Sequence, residues 1–176
     1  MPGASREAGG SARLFIALWP GPELRDALGT WCATWPCDAR AKRVPARQLH
    51  MTLHFLGAVP RERLPALRQA LGLPFAPFAL SLGRPALWPG QTAVLEPERV
   101  PLRLQRLHGA LGAALQDLAL PIETRLFRPH LTIARRAGSA SPPAAGPGLR
   151  WPVRGYALVE SRPQAQGGYA VLQTWP

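Results

Sequence analysis

Apolar residues in this 176-residue chain switch repeatedly between the two periods that mark strands and helices. Arg13 to Leu18 reads as a short apolar strand. Trp19-Pro20-Gly21-Pro22 breaks it, and a helix follows from Glu23 to about Cys32 with Pro22 near its first turn. Leu49 to Leu56 forms a second strand that ends at Gly57. Pro60 opens a helix through about Leu71, with Leu64, Leu67 and Leu71 on one face, and Pro65 falls early enough to be tolerated. Two extended segments, Phe78 to Leu82 and Thr92 to Leu95, flank the Pro- and Gly-rich loop Gly83 to Gly90. The clearest helix runs from about Val100 to Leu118, where Leu104, Leu107, Leu111, Leu115 and Leu118 make a core stripe. A strand from His130 to Ala134 follows Pro129, and Gly138 to Gly148 reads by composition as a mobile loop. Two strands, Val153 to Glu160 and Tyr169 to Thr174, close the chain about a turn at Gln166-Gly167-Gly168. The class is α+β, organised as two similar halves.

Length and a hydrophobic content of 47% fit one domain, or two lobes sharing a core. No apolar stretch is long enough to span a bilayer, so no membrane partner is expected. Residues 1–12 lack the apolar core of a secretory signal and read as a flexible lead-in to a domain over 13–176, in a cytoplasmic protein. A net charge of +11 points to an anionic partner, with nucleic acid the obvious candidate. The signal is diluted because Lys42 is the single lysine and the arginines are scattered, as a compositional bias would also produce. Cys32 and Cys37 are too few for a cysteine metal site or a disulfide scaffold, and read as reduced thiols near a helix end.

The chemistry concentrates in two short strings, His50-Met51-Thr52-Leu53 and His130-Leu131-Thr132-Ile133, 80 positions apart. Each is a His-x-Thr followed by an aliphatic residue, inside an expected strand. Residues i and i+2 of a strand share a face. His50 therefore projects with Thr52 and His130 with Thr132, while the intervening aliphatics enter a core. Two such copies facing each other form a nearly symmetric site, suited to a phosphorus centre attacked on one side and departed from on the other. Histidine, with a free pKa of about 6.5, can give or take a proton near neutrality. The threonine hydroxyls can hold charge growing on the phosphoryl oxygens. A strained cyclic 2′,3′-phosphate suits such equipment without a metal, and the chain offers no acidic cluster of the kind that binds Mg²⁺. His50, His54 and His130 lack the neighbouring carboxylate of a typical zinc site, so neither metal nor cofactor is expected.

With these motifs and their flanks the chain resembles the two-histidine phosphoesterases, most closely the bacterial and archaeal RNA 2′,3′-cyclic phosphodiesterases, first known as 2′-5′ RNA ligases. Arg13 to Leu18 looks like the opening strand of that family, Leu49 to Gly57 its first signature and Phe127 to Arg135 its second. Leu158 to Ser161 and Gly168 to Leu172 resemble its closing strand pair. The resemblance implies a bilobal, pseudo-twofold fold with two antiparallel sheets lining a central cleft and helices outside. It implies hydrolysis of RNA 2′,3′-cyclic phosphate ends to 2′-phosphates; tRNA halves are candidate substrates, and a monomer is expected. Ligation through a 2′-5′ linkage is a second reaction that the resemblance allows. It assigns His50 as proton donor and His130 as proton acceptor, roles that the near-symmetric motifs alone leave interchangeable.

Several further residues are candidates for substrate contact. Arg128 and Arg135 flank His130, but an ideal strand puts Arg135 on the face opposite His130, so a phosphate role for it requires a bulge or a strand end. Phe55 and Phe127 are candidates to stack a base. His54 shares a strand face with His50 and Thr52 and is read as cleft rim or sheet surface, and His108 as an inert helix-surface residue. Two rival readings stand beside RNA-end hydrolysis. One is a phosphodiesterase for a small cyclic nucleotide or an ADP-ribose cyclic phosphate, and the other a non-catalytic module that binds RNA ends.

Overall fold

The computed structural model describes residues 10–138 and 141–176. Residues 1–9 of the expected lead-in, and Ser139 and Ala140 of the expected mobile loop, lie outside the described residues. Strand β1 (Ser11–Leu18) begins two residues earlier than the apolar pattern suggested and leads through Pro20 into helix α1 (Pro22–Thr34). A two-residue strand, β2 (Lys42–Arg43), precedes the first motif strand, β3 (Met51–Pro60). After a 3-10 turn at Arg61–Arg63 comes the short helix α2 (Leu64–Ala70), whose Pro65 sits in its first turn and so breaks no hydrogen bond. The hairpin β4 (Phe78–Trp88) and β5 (Thr92–Pro97) leads into the long helix α3 (Leu102–Asp117) and the second motif strand, β6 (Leu131–Arg135). Strands β7 (Leu149–Val153), β8 (Tyr156–Ser161) and β9 (Tyr169–Trp175) complete the fold.

All pairings are antiparallel, and the sheet order is β7-β4-β5-β6-β3-β1-β8-β9, with β2 added on β6. The path is two four-stranded sheets meeting at one pair, Met51 opposite Leu131. Each half has the same plan: β1, α1 and β3 in one, β5, α3 and β6 in the other, with the motif strand innermost. The helices cross over, since α1 lies against β7 and α3 against β3, so each half is covered by the helix of the other. Leu104, Leu107, Leu111 and Leu115 of α3 are buried in a main core with Leu14, Ile16, Met51, Leu53, Leu131 and Ile133. A smaller cluster of Phe15, Ala17, Ala157 and Val159 packs on the other face of β1 and β8.

Three differences from the apolar pattern have a common cause in edges and bulges. The expected loop from Gly83 to Gly90 is largely strand, because β4 continues to Trp88. Strand β7 pairs only with Phe78–Leu82, so beyond Leu82 one side of β4 is an edge, where the missing N–H of Pro85 costs nothing. Gly83 is the extra residue of a bulge between Leu82 and Arg84, and a Cβ there would collide with the Glu98 side chain. The expected strand from Val153 to Glu160 is two strands, with β7 ending at Val153 and β8 starting at Tyr156. Strand β7 is an edge too, which accommodates its Pro152. Nor does β3 stop at Gly57, which adopts φ +71° at a second bulge and lets the strand run on to Pro60.

Candidate active site

The two His-x-Thr motifs converge. His50, Thr52, His130 and Thr132 line one cleft of about 530 Å³, within the usual range of small-molecule sites, roughly 300–1,000 Å³. Both histidines sit one residue before their strands begin, which frees their backbones from the ladder while their rings remain on the threonine face.

Each imidazole is held in the same way. His50 donates from Nδ1 to the carbonyl of Gln48 at 2.6 Å, and His130 from Nδ1 to the carbonyl of Arg128 at 2.7 Å. A carbonyl only accepts, so the proton of each neutral ring is on Nδ1 and Nε2 is the nitrogen left for chemistry. Gln48 is itself buried and exchanges side-chain amide hydrogen bonds with Gln164, which fixes the carbonyl that aims His50. Aromatic rings complete both settings. His50 stacks on Trp19 at 5.2 Å between ring centres with Phe15 at 4.9 Å and Tyr169 at 5.2 Å, and His130 packs against Trp88 at 4.3 Å.

Burial is the main reason that both histidines are pushed below the ordinary histidine pKa, and the backbone hydrogen bonds oppose it in part. The positive charges of His130 and Arg135 push His50 down further. His130 feels Glu96, which raises its pKa, against Arg128 and Arg135, which lower it.

The flanking candidates separate into two groups. A bulge in β3 makes Leu53 the extra residue, since Thr52 pairs with Ala17 and His54 with Ile16. That bulge inverts the strand's alternation beyond the motif. His54 therefore leaves the face of His50 and Thr52: it is buried, donates from Nε2 to the carbonyl of His108 at 2.8 Å, and stacks on the His108 ring. The reading of His54 as cleft rim is overturned by that inversion. Phe55 correspondingly turns into the cleft, 47% exposed, with the Arg13 guanidinium 5.0 Å from its ring centre.

The second half repeats the device. Thr132 pairs with Val94 and Ala134 with Ala93, which makes Ile133 the bulged residue. Arg135, at the same offset from His130 as Phe55 from His50, is thereby brought into the cleft. The bulge that its phosphate role required is present. Arg128 and Phe127 take other positions. Arg128 pairs with Glu96 at 2.8 Å and lies 4.3 Å over the Trp88 ring, while Phe127 stacks on His108 at 3.9 Å against the main core. Neither lines the cleft with the motif residues. His108 is therefore no inert surface residue but the centre of a His54–His108–Phe127 stack.

Sequence reasoning missed Arg13, Phe15, Ser161, Tyr169 and Glu123 as cleft residues. Arg13 and Phe15 alternate along β1, so the period-two signal was present once the strand's inner face was known. Glu123, exposed and paired with Arg125 at 3.0 Å, comes from the irregular segment before the second motif and carried no such signal. Among the described residues no group of three or more His, Cys, Asp or Glu side chains is placed to hold a metal ion. Among the described residues no helix is long and apolar enough to cross a membrane.

Known proteins share both the sequence and the architecture. An RNA 2′,3′-cyclic phosphodiesterase of Thermus thermophilus is 36% identical over 92% of this chain and 88% of its own length. The Escherichia coli protein of the same description is 32% identical, covering 93% of this chain and 95% of that one. Escherichia coli LigT, solved in apo form, superposes with a TM-score of 0.84 at 28% identity, covering 94% of this chain and 97% of its own. LigT has also been solved with 3′-AMP, and that structure superposes at 0.81. The model of the 2′-5′ RNA ligase superfamily matches residues 20–162, and the chain belongs to that superfamily.

Proposed function

We propose that this protein hydrolyses RNA ends bearing a 2′,3′-cyclic phosphate to 2′-phosphomonoesters, without a metal, through general acid–base catalysis by its two His-x-Thr motifs. The observation that carries the reading is the convergence of two histidines, each with Nδ1 on a backbone carbonyl and Nε2 without a hydrogen-bond partner among the described residues, in one cleft with two threonines. His130 Nε2 takes a proton from water as the water oxygen bonds to phosphorus. The P–O3′ bond breaks, and His50, protonated on Nε2, gives its proton to the departing 3′ oxygen. Thr52 and Thr132 donate to the non-bridging oxygens, and Arg135 supplies positive charge beside them. Phe55 offers an exposed ring for the terminal base, a contact worth about 1–3 kcal/mol per base in single-strand sites.

Relatives described as RNA 2′,3′-cyclic phosphodiesterases at 32% and 36% identity support the substrate class. Cut tRNA halves fall within that class. Both walls of the cleft come from a single chain, which supports action as a monomer. Cys32 and Cys37 are free thiols, as a reducing cytoplasm would keep them. Ligation through a 2′-5′ linkage is the same ring-opening displacement with an RNA 5′-hydroxyl in place of water and the 3′ oxygen again departing, and the excess of water makes it the minor reaction.

The test is a short RNA ending in a 2′,3′-cyclic phosphate, incubated with the protein in excess EDTA, with the product compared with 2′- and 3′-phosphate standards. A 2′-phosphate product is expected. Retained RNA with no product would favour an end-binding module, and turnover of cyclic mononucleotides alone would favour a small-molecule phosphodiesterase.

A further inference from the structure

The two halves of the cleft repeat closely, and they differ most in what lies across the sheet from each histidine. Leu18 pairs with Met51, so the next position puts Trp19 opposite His50. Leu95 pairs with Leu131, so the next position puts Glu96 opposite His130. An aromatic ring stands in one half where a carboxylate stands in the other.

Building on the acid–base reading above, we propose that Glu96 is a positioning residue that makes the two histidines chemically unequal: its carboxylate stabilises positive charge on His130 and so fixes His130 as the proton acceptor. His50, which faces no carboxylate across the sheet, is left as the donor.

The geometry supports a built device. Glu96 is 9% exposed, a position where a carboxylate needs partners. It has three. Trp88 Nε1 donates to Oε1 at 3.1 Å, Arg128 Nη2 donates to the same oxygen at 2.8 Å, and Arg84 lies 3.7 Å from Oε2. Trp88 is also the ring that packs 4.3 Å from His130, so one indole touches both the carboxylate and the imidazole. An indole that donates its N–H to an anion holds more electron density on its face, which favours an imidazolium against it. Arg128 closes the other side of Trp88 and aims His130 through its own carbonyl.

The charged groups facing His130 are Glu96 from β5, Arg128 from the segment before β6, Arg135 from β6 itself and His50 from the other half, while Arg13 and Glu123, the latter neutralised by Arg125, line the same cleft. Glu96 is the anion that lies across the sheet from His130. A base gains positive charge as it takes the proton from water, so an anion beside it acts where charge develops. His50 loses positive charge when it acts, and the cations around it favour that loss. The arrangement resembles in logic a carboxylate behind a catalytic histidine, with the difference that Nδ1 of His130 is occupied by a carbonyl and the carboxylate acts through space.

The test uses the full chain. Histidine ring protons are titrated by NMR, without substrate, in the parent protein, in Glu96→Gln and in Arg128→Gln. Glutamine keeps an acceptor for Trp88 while removing the charge. The expected result is a roughly tenfold fall in the proton affinity of His130 in Glu96→Gln. A rise is expected in Arg128→Gln, and in both variants His50 should change much less than His130. The limb of the kcat/KM profile on the cyclic-phosphate RNA that His130 sets should move to lower pH in Glu96→Gln and to higher pH in Arg128→Gln, while the limb set by His50 moves much less. A His130 titration that is the same in all three proteins would overturn the proposal. A His130 titration that moves while both limbs of kcat/KM stay fixed would overturn the assignment of His130 to the proton transfers. Absence of any RNA turnover in the parent would instead sink the acid–base reading, and the NMR titrations distinguish that outcome because they need no substrate.

Discussion

The stacked pair His54 and His108 should make the protein lose stability as the pH falls below neutrality, and His108→Phe should remove much of that loss. Burial, then the neighbouring His54, pushes His108 down to about 4. In the unfolded chain its pKa returns to about 6.5. Above 6.5 neither state binds the proton. Between 6.5 and about 4 the unfolded chain is protonated and the folded one is not, so stability declines as pH falls through this window. At pH 5 the full difference corresponds to about 2 kcal/mol, and the half-exposed setting of His108 reduces the expected effect to about 1 kcal/mol. Phenylalanine keeps the stack with His54 and Phe127, and the carbonyl of residue 108 still accepts from His54 Nε2. Urea unfolding of parent and variant at pH 8 and pH 5 measures the effect. The account predicts that the variant's stability falls by about 1 kcal/mol less between the two pH values. Equal losses in the two proteins would refute it.

Other consequences follow from the same geometry. Both cleft histidines lie below the ordinary pKa, so kcat/KM, which reports the free enzyme, should peak below pH 6.5 and fall toward pH 8. Arg135→Ala should lower kcat/KM by about 10- to 100-fold, the worth of a charged hydrogen bond to phosphate, and a value within twofold of the parent would remove Arg135 from the site. Gly109→Ala in α3 meets no atom within 4 Å and should raise stability by about 0.5–1 kcal/mol in urea unfolding. Gly112→Ala should show no such gain, because its Cβ would lie 3.3 Å from Cε1 of the buried, stacked His54. Tyr156→Phe should cost about 1–2 kcal/mol by the same assay, since the hydroxyl donates to the Leu71 carbonyl at 2.6 Å and accepts from the Leu73 amide at 3.0 Å.

The fold's plan was legible because most of it rests on periodicity. The leucine stripe of α3 and the apolar β1 and β3 are strong patterns, and both motif histidines fell where strand alternation placed them. What lay hidden were departures from alternation. The bulges at Leu53 and Ile133 sit on aliphatic residues with no glycine to mark them, and each reverses the face of everything after it. His54 and Phe55 therefore exchange faces relative to an ideal strand, and Arg135 enters the cleft. The proline-rich strand β4 was hidden for another reason. Pro85 signals a loop unless it is known that no strand pairs on that side, and such knowledge comes only from the sheet order. Glu96 carried no sequence signal, because its meaning depends on the residue across the sheet.

The most direct test of the central claim is single-turnover hydrolysis of a cyclic-phosphate RNA by His50→Gln, His130→Gln and the double variant, beside the parent. Each single substitution should slow the chemical step by about 10²–10⁴-fold, and the double variant should be little slower than the slower single one. A single variant that turns over within a few fold of the parent would contradict a site in which both motifs carry the proton transfers.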